Sequence, residues 1–215
     1  ELGFTEYESR VYLTLLTSPP TTGYQVSVRA GIPRSMVYEA LGRLGCDAEV
    51  LSLDPSTLDE VIADIGRVGD ALGVPERATE VMAALRLELG VIRSVLADRP
   101  RPTVLVLEWV DPPFGAGHWI PQMIETAGGT PVLAADGTHS GALTWDAVAA
   151  ADPDIVIVAP CGFGLDGAVE HARLALPHLP ESADVWAVDG DAYIVRPGPR
   201  LVDRLVAGLR PARPG

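Results

Sequence analysis

The sequence predicts an α/β protein, a parallel-sheet lobe preceded by a small all-α helix-turn-helix segment. Three β-branched apolar runs, "TVLVLEW", "DIVIVAP" and "DVWAVDG", alternate with helical patterns across residues 103–215. Repeated βα order sets strands side by side in parallel and covers the sheet with helices on both faces. Residues 1–45 instead hold short amphipathic stretches split by a glycine, with no strand pattern among them. Between the two, residues 46–102 carry two longer stretches of three-four apolar spacing, which read as connecting helices.

Taken in order, Thr5 and Glu8 form a capping box before "YESRVYLTLL", where Val11, Leu15 and Leu16 share a face, and Pro19-Pro20 stops the helix. "TGYQVSVRAG" is a second helix ended by Gly31. In "IPRSMVYEALGRL", Pro33 opens a third helix with Val37, Leu41 and Leu44 on one stripe. Asp54-Pro55-Ser56 then turns into a helix striped by Leu58, Val61, Ile65, Val68 and Leu72. The next helix repeats the spacing with Met82, Leu85, Leu89, Ile92 and Leu96. It has too few heptads for a coiled coil, so a stripe packed on the neighbouring domain is expected. Beyond the first strand, helices are expected at "WIPQMIETA", "TWDAVAAA", "LDGAVEHARLAL" and "PRLVDRLVAGL".

An apolar content of 47% supplies a real core and excludes a disordered chain. No apolar run reaches the ~18 residues that suggest a membrane span. No secretory leader pattern is present, which points to a cytoplasmic protein; Glu1 stands where a methionine would start the chain, so an extracytoplasmic location with a leader further upstream is the alternative. Cys46 and Cys161 are too few for a disulfide framework or a zinc site. All 16 basic residues are arginines, against 29 acids. Residues 1–45 balance four acids with four arginines, so the remainder carries the whole net charge of −13, which opposes nucleic acid and anionic membranes.

In parallel sheets ligands sit beyond the carboxyl ends of the strands. There lies "LEWVDPPFGAGHWIP", and at the neighbouring ends "APCGFG" and "DGDAYIVRPGPR". Catalysis finds little support: there is no Ser-His-Asp spacing, no paired carboxylates in an apolar stretch and no phosphate-binding glycine loop. Cys161 reads as a buried structural thiol, since no histidine is positioned to activate it. What remains is aromatic: Trp109, Phe114, Trp119, Phe163 and Tyr193. Rings of this size suit a broad, flat, partly apolar ligand. Trp109 and Trp119 are expected to be partly accessible to solvent.

Two resemblances follow from these residues. "LGFTEYESRVYLTLL…AGIPRSMVYEALGRL", residues 2–44, resembles the helix-turn-helix of TrmB-like sugar-responsive transcription regulators. That resemblance places Arg34, Ser35 and Tyr38 on a recognition helix facing DNA. Met36 departs from a basic residue frequent in that family, and the β-hairpin wing that should follow is not evident. Residues 48–210, through "AEVLSLDPSTLDEVIADIGRVGDALG", "LEWVDPPFGAGHWIPQMIETAGG", "DPDIVIVAPCGF" and "VDGDAYIVRPGPRLVD", resemble cobalamin-binding solute-binding proteins of the BtuF-like class. The implied fold is one lobe of a class III solute-binding protein of BtuF/TroA-like, helical-backbone type, with residues 75–97 as its spine. The implied ligand-binding residues are Trp109, Asp111, Phe114, Gly117, His118, Trp119, Cys161, Phe163, Tyr193 and Arg196, with cobalamin as ligand. His118 is expected to be hydrogen-bonded to its turn in preference to ligating cobalt. Gln122 stands where relatives carry an acid that docks on the transporter, and a helix-turn-helix stands where their amino-terminal lobe would be.

Two functions are therefore expected. In the first, a corrinoid-binding lobe is coupled to a DNA-binding segment, most simply as a homodimer, giving a corrinoid-responsive transcription regulator. In the second, the chain is a partial or relic substrate-binding protein of a cobalamin ABC transporter, with a permease as partner and no DNA-binding role.

Overall fold

The computed structural model describes residues 5–16, 22–44, 51–134, 137–202 and 205. The chain divides into two compact units, Glu1–Ser52 and Leu53–Gly215.

Among the described residues the first unit holds three helices: α1 (Glu6–Leu16), α2 (Gly23–Ala30) and α3 (Arg34–Arg43). The expected capping box opens α1: Thr5 N–H donates to Glu8 Oε2 at 2.7 Å, and Glu8 N–H to Thr5 Oγ1 at 3.3 Å. Thr22 and Gln25 form a second box on α2. Gly31 ends α2 with φ of 65°, a left-handed conformation that costs glycine no Cβ clash. Pro33 stands immediately before α3, and Val11, Val26, Ile32, Val37, Ala40 and Leu44 close a small core of their own. Arg43 reaches Glu39 at 2.8 Å and Glu8 at 3.6 Å, tying α3 to α1. The side chain of Leu16 and the region where a wing would follow α3, residues 45–50, lie outside the described residues.

The second unit opens with α4 (Leu58–Ala71), capped by a Thr57–Glu60 box, and α5 (Pro75–Leu96). The predicted stripes turn inward: Leu58, Val61, Leu85, Leu89 and Ile92 are buried in one core. Leu72, at the end of the α4 stripe, is 53% exposed because the helix has already stopped at Ala71. α5 covers the residues expected for the spine. Among the described residues no helix is long and apolar enough to cross a membrane.

The sheet comprises β1 (Thr103–Val110), β2 (Pro113–Gly115), β3 (Thr130–Pro131), β4 (Gly141–Ala142), β5 (Ile155–Val158) and β6 (Asp184–Ala187). Its order is β4-β2-β1-β5-β6, with β3 also paired to β1. β1 runs parallel to β3 and β5, and β5 parallel to β6, as the βα repeat predicts. The sheet is nonetheless mixed: β2 pairs antiparallel to β1, and β4 antiparallel to β2. The "DPP" turn reverses the chain at the end of β1, so the next residues fold back along it instead of crossing over.

Strand alternation sorts two cores. Val104 and Val106 face α4, α5 and α6 (Ile120–Thr126), whereas Leu105 and Leu107 face the other side. There α7 (Trp145–Ala151) contributes Val148, and α8 (Leu165–Ala175) contributes Ala172 and Ala175. Helices therefore cover both faces. The last predicted helix falls mostly outside the described residues, although Leu201, Val202 and Leu205 are buried in the first core.

Candidate functional site

At the carboxyl end of β1 the ladder to β2 shifts register between Leu107 and Trp109, which breaks strict alternation, and Glu108 and Trp109 both reach one cavity. Trp109 pairs with Phe114 across the β1–β2 ladder, and its indole N–H donates to the Asp111 carbonyl at 2.9 Å. That bond fixes the ring on its own turn. Beyond β2, Gly117 passes so close to the 137–140 loop that a Cβ would stand 2.3 Å from the Thr138 carbonyl oxygen. Only glycine fits there. His118 follows with φ of 53°, and its N–H donates to the same carbonyl.

The 137–140 loop returns two side chains to the strand end. His139 Nδ1 lies 2.9 Å from His118 Nε2, and the Ser140 hydroxyl donates to Glu108 Oε2. Glu108 is 9% exposed. Burial raises its carboxyl above the ordinary value, while Ser140 and the nearby His118 pull it back. Trp119 precedes α6 and is buried, with its indole N–H donating to the Ile194 carbonyl at 2.9 Å. Glu108, Trp109, Phe114, His118, Trp119 and Ser140 line an open cavity of about 430 Å³, whose walls also include Ile120, Cys161 and Val195. Its size, with apolar walls and a few convergent polar groups, falls in the range of small-molecule pockets.

The structure brings five of the ten predicted ligand residues to the cavity wall: Trp109, Phe114, His118, Trp119 and Cys161. The other five stand apart from it. Asp111 is exposed and serves through its carbonyl, and Gly117 packs beneath Thr138. Phe163 lies beside the cavity, its ring tilted against its neighbours, with centroids 5.7 Å from Trp109 and 4.7 Å from His171 on α8. Tyr193 ends a short helix, α9 (Gly190–Tyr193), and Arg196 pairs with Asp191 at 2.8 Å.

Two expectations are corrected. Trp119 is only 8% exposed, because Ile194 draws its indole into the core; Trp109 keeps the expected partial access. Cys161 is exposed, not buried, since it sits on the turn after β5. Desolvation of its sulfur, with the Glu108 and Asp191 carboxylates near, pushes the thiol up to about 11, so it remains protonated. Among the described residues no group of three or more His, Cys, Asp or Glu is placed to hold a metal ion. His118 meets His139, as well as bonding to its turn.

Sequence reasoning missed Glu108, Ile120, Ser140 and Val195 of the wall, and His139 beside His118. Glu108 carried a signal, an acid inside an otherwise apolar strand. Ser140 carried none, being brought in by a loop 32 residues away. Gln122 has an internal use: its side-chain oxygen accepts the Leu58 N–H at 2.8 Å, capping α4. In the first unit Arg34, Ser35 and Tyr38 are all exposed at the start of α3. The Arg34 guanidinium lies 5.5 Å from the Tyr24 ring centroid, and the Tyr38 ring covers Gly23.

Comparison with known proteins places these units in known company. The model of the family described as "Sugar-specific transcriptional regulator TrmB" matches residues 1–46, and that described as "Periplasmic binding protein" matches residues 35–176. The uncharacterized protein YrhO of Bacillus subtilis (strain 168) is 56% identical over 43 residues, 20% of this chain. The chain spans 16% of the length of that relative. Among solved structures, the periplasmic vitamin B12 binding protein BtuF of Vibrio cholerae superposes with a TM-score of 0.60 at 22% identity, over 83% of this chain and 69% of its own. The periplasmic heme-binding protein RhuT from Roseiflexus sp. RS-1 superposes with a TM-score of 0.58 at 26% identity, over 81% and 69%. These structural relatives are binding proteins, with folds of the class III type.

Proposed function

This chain belongs to the periplasmic binding protein family, and from that premise we propose that its α/β unit binds a cobalamin-type corrinoid while its helix-turn-helix unit binds DNA. The protein is then a corrinoid-responsive transcription regulator working in the cytoplasm. The observation that carries the reading is the cavity at the end of β1, where Trp109, Phe114 and Trp119 wall a site too small for a whole corrinoid. One edge or face of the ligand fits, and a second copy of the chain supplies the rest of the enclosure, so tight binding goes with a homodimer.

Two half-sites about one helical turn apart on DNA suit the same dimer. The test joins both halves. Cyanocobalamin should quench tryptophan fluorescence, and a mobility-shift selection on random duplexes should enrich a site whose occupancy responds to the ligand. Arg34→Ala should cost ~1–3 kcal/mol of DNA affinity if the guanidinium reads a guanine edge. Absence of quenching at millimolar ligand would remove the corrinoid, and absence of any enriched duplex would remove the regulator.

The transport reading, with an ABC permease as partner, draws on the fold shared with periplasmic proteins. Gln122 argues against it, since the side chain that would face a permease is spent on capping α4.

A further inference from the structure

We propose that Glu108 selects the ligand of this cavity: a macrocycle presenting amide N–H groups to this wall is accepted, and one presenting carboxylates is refused. The inference rests on the corrinoid reading and adds to it the polar chemistry of the ligand's rim.

Among the described residues the wall offers little competition from donors: the protonated Cys161 thiol is a weak one, and the stronger donors are engaged. The indole N–H groups of Trp109 and Trp119 are spent on the carbonyls of Asp111 and Ile194. His118 and His139 share a ring-to-ring hydrogen bond. No arginine lines the cavity among the described residues, and the chain contains no lysine. Arg196, on the adjoining segment, is held by Asp191. Against this background Glu108 is the buried acceptor of the wall. Ser140 donates to its Oε2, and among the described residues no group donates to Oε1.

A ligand amide placed here gives its N–H a carboxyl acceptor away from water, and the bond is strongest with Glu108 ionised. A ligand carboxylate placed here loses its hydration, gains only the weak Cys161 thiol as a donor and, with Glu108 ionised, meets a like charge. A site built around one hydrogen-bonding group discriminates most sharply against the analogue that leaves that group unpaired. Corrins carry amide side chains around the ring, and mild acid hydrolysis converts single amides to carboxylates, so the two chemistries can be compared on one scaffold.

The test is equilibrium dialysis of the full chain near neutral pH with cyanocobalamin and with each of its monocarboxylic acid isomers. At least one isomer should bind about tenfold or more weakly than the parent, the scale of one charge-assisted hydrogen bond. Glu108→Gln, whose carboxamide both donates and accepts, should collapse that gap, with near-UV circular dichroism checking the fold. Ser140→Ala leaves both Glu108 oxygens to the cavity and should widen the gap, which keeps the proposal testable if Glu108→Gln does not fold. Equal binding of all forms by the wild-type chain, or a gap unmoved by either folded variant, overturns the inference while leaving corrinoid binding intact. Binding of neither parent nor isomers overturns the corrinoid reading and this inference with it.

Discussion

The helix ends of the helix-turn-helix unit are set by short-range signals, although its core joins Val11 to Leu44, whereas the cavity of the α/β unit is assembled from distant ones. In the first unit the Thr5–Glu8 and Thr22–Gln25 boxes, the Gly31 cap and the Arg43–Glu39 pair all join residues within five positions of each other. Around the cavity, Ser140 reaches back 32 residues to Glu108, and Trp119 reaches 75 residues forward to Ile194. Short-range contacts form wherever their own few residues are right. The cavity needs the whole sheet in register first.

The largest expected effect sharpens this difference. Trp119→Ala should destabilise the α/β unit by ~3–5 kcal/mol, as deletion of a buried indole does, and should release the Ile194 carbonyl. Trp109→Ala, at a half-buried ring, should instead cost ~1–3 kcal/mol of corrinoid affinity and much less stability. Urea denaturation and fluorescence titration on the two variants separate the roles. Equal stability losses would merge Trp109 with the core and break the distinction.

A smaller effect is expected in the first unit. Thr22→Ala removes the α2 cap and should cost ~1 kcal/mol, lowering the melting of that unit without touching corrinoid titration. Calorimetry on the intact chain reads it. A single transition shifted as a whole would show that the two units unfold together and weaken the comparison.

The smallest effects are two pH dependences of opposite sign within the α/β unit. Asp154 accepts from both the Thr103 N–H at 2.7 Å and the Thr103 hydroxyl at 2.8 Å, and these bonds hold its carboxyl below the ordinary value, the backbone bond foremost. Its contribution is present above the unfolded-state pKa and is lost as pH falls through the lowered one. Glu108, raised by burial, behaves oppositely: the folded state holds the proton more tightly, so stability erodes as pH rises from the ordinary glutamate value to the raised one. Urea midpoints against pH should show a shallower acid limb for Asp154→Asn. Glu108→Gln should gain stability relative to wild type as pH rises out of the carboxylate range. A parallel offset of either variant at every pH would contradict its assignment.

How far the sequence could be read follows the same division. Helix boundaries came within a residue or two wherever a cap or glycine marked them, as at Thr5, Gly31 and Thr144. The aromatic turn after β1 was evident from composition, since wide rings among glycines and prolines are unusual packing. Which rings face the cavity was not evident. Phe163 and Tyr193 share the rim by sequence, yet Phe163 packs against His171 and Tyr193 ends α9.

By itself the sequence determined most of the helices, though not α9, the parallel core strands and the two faces they bury, because periodicity and capping act between residues a few positions apart. Tertiary structure decided that Glu108 meets Ser140, that Trp119 is buried, that Cys161 is exposed and that β2 and β4 run antiparallel. Each of these depends on how a side chain or strand is met by a partner from elsewhere in the chain. A residue's local pattern fixes the direction in which it points, and only the folded neighbours fix what it finds there.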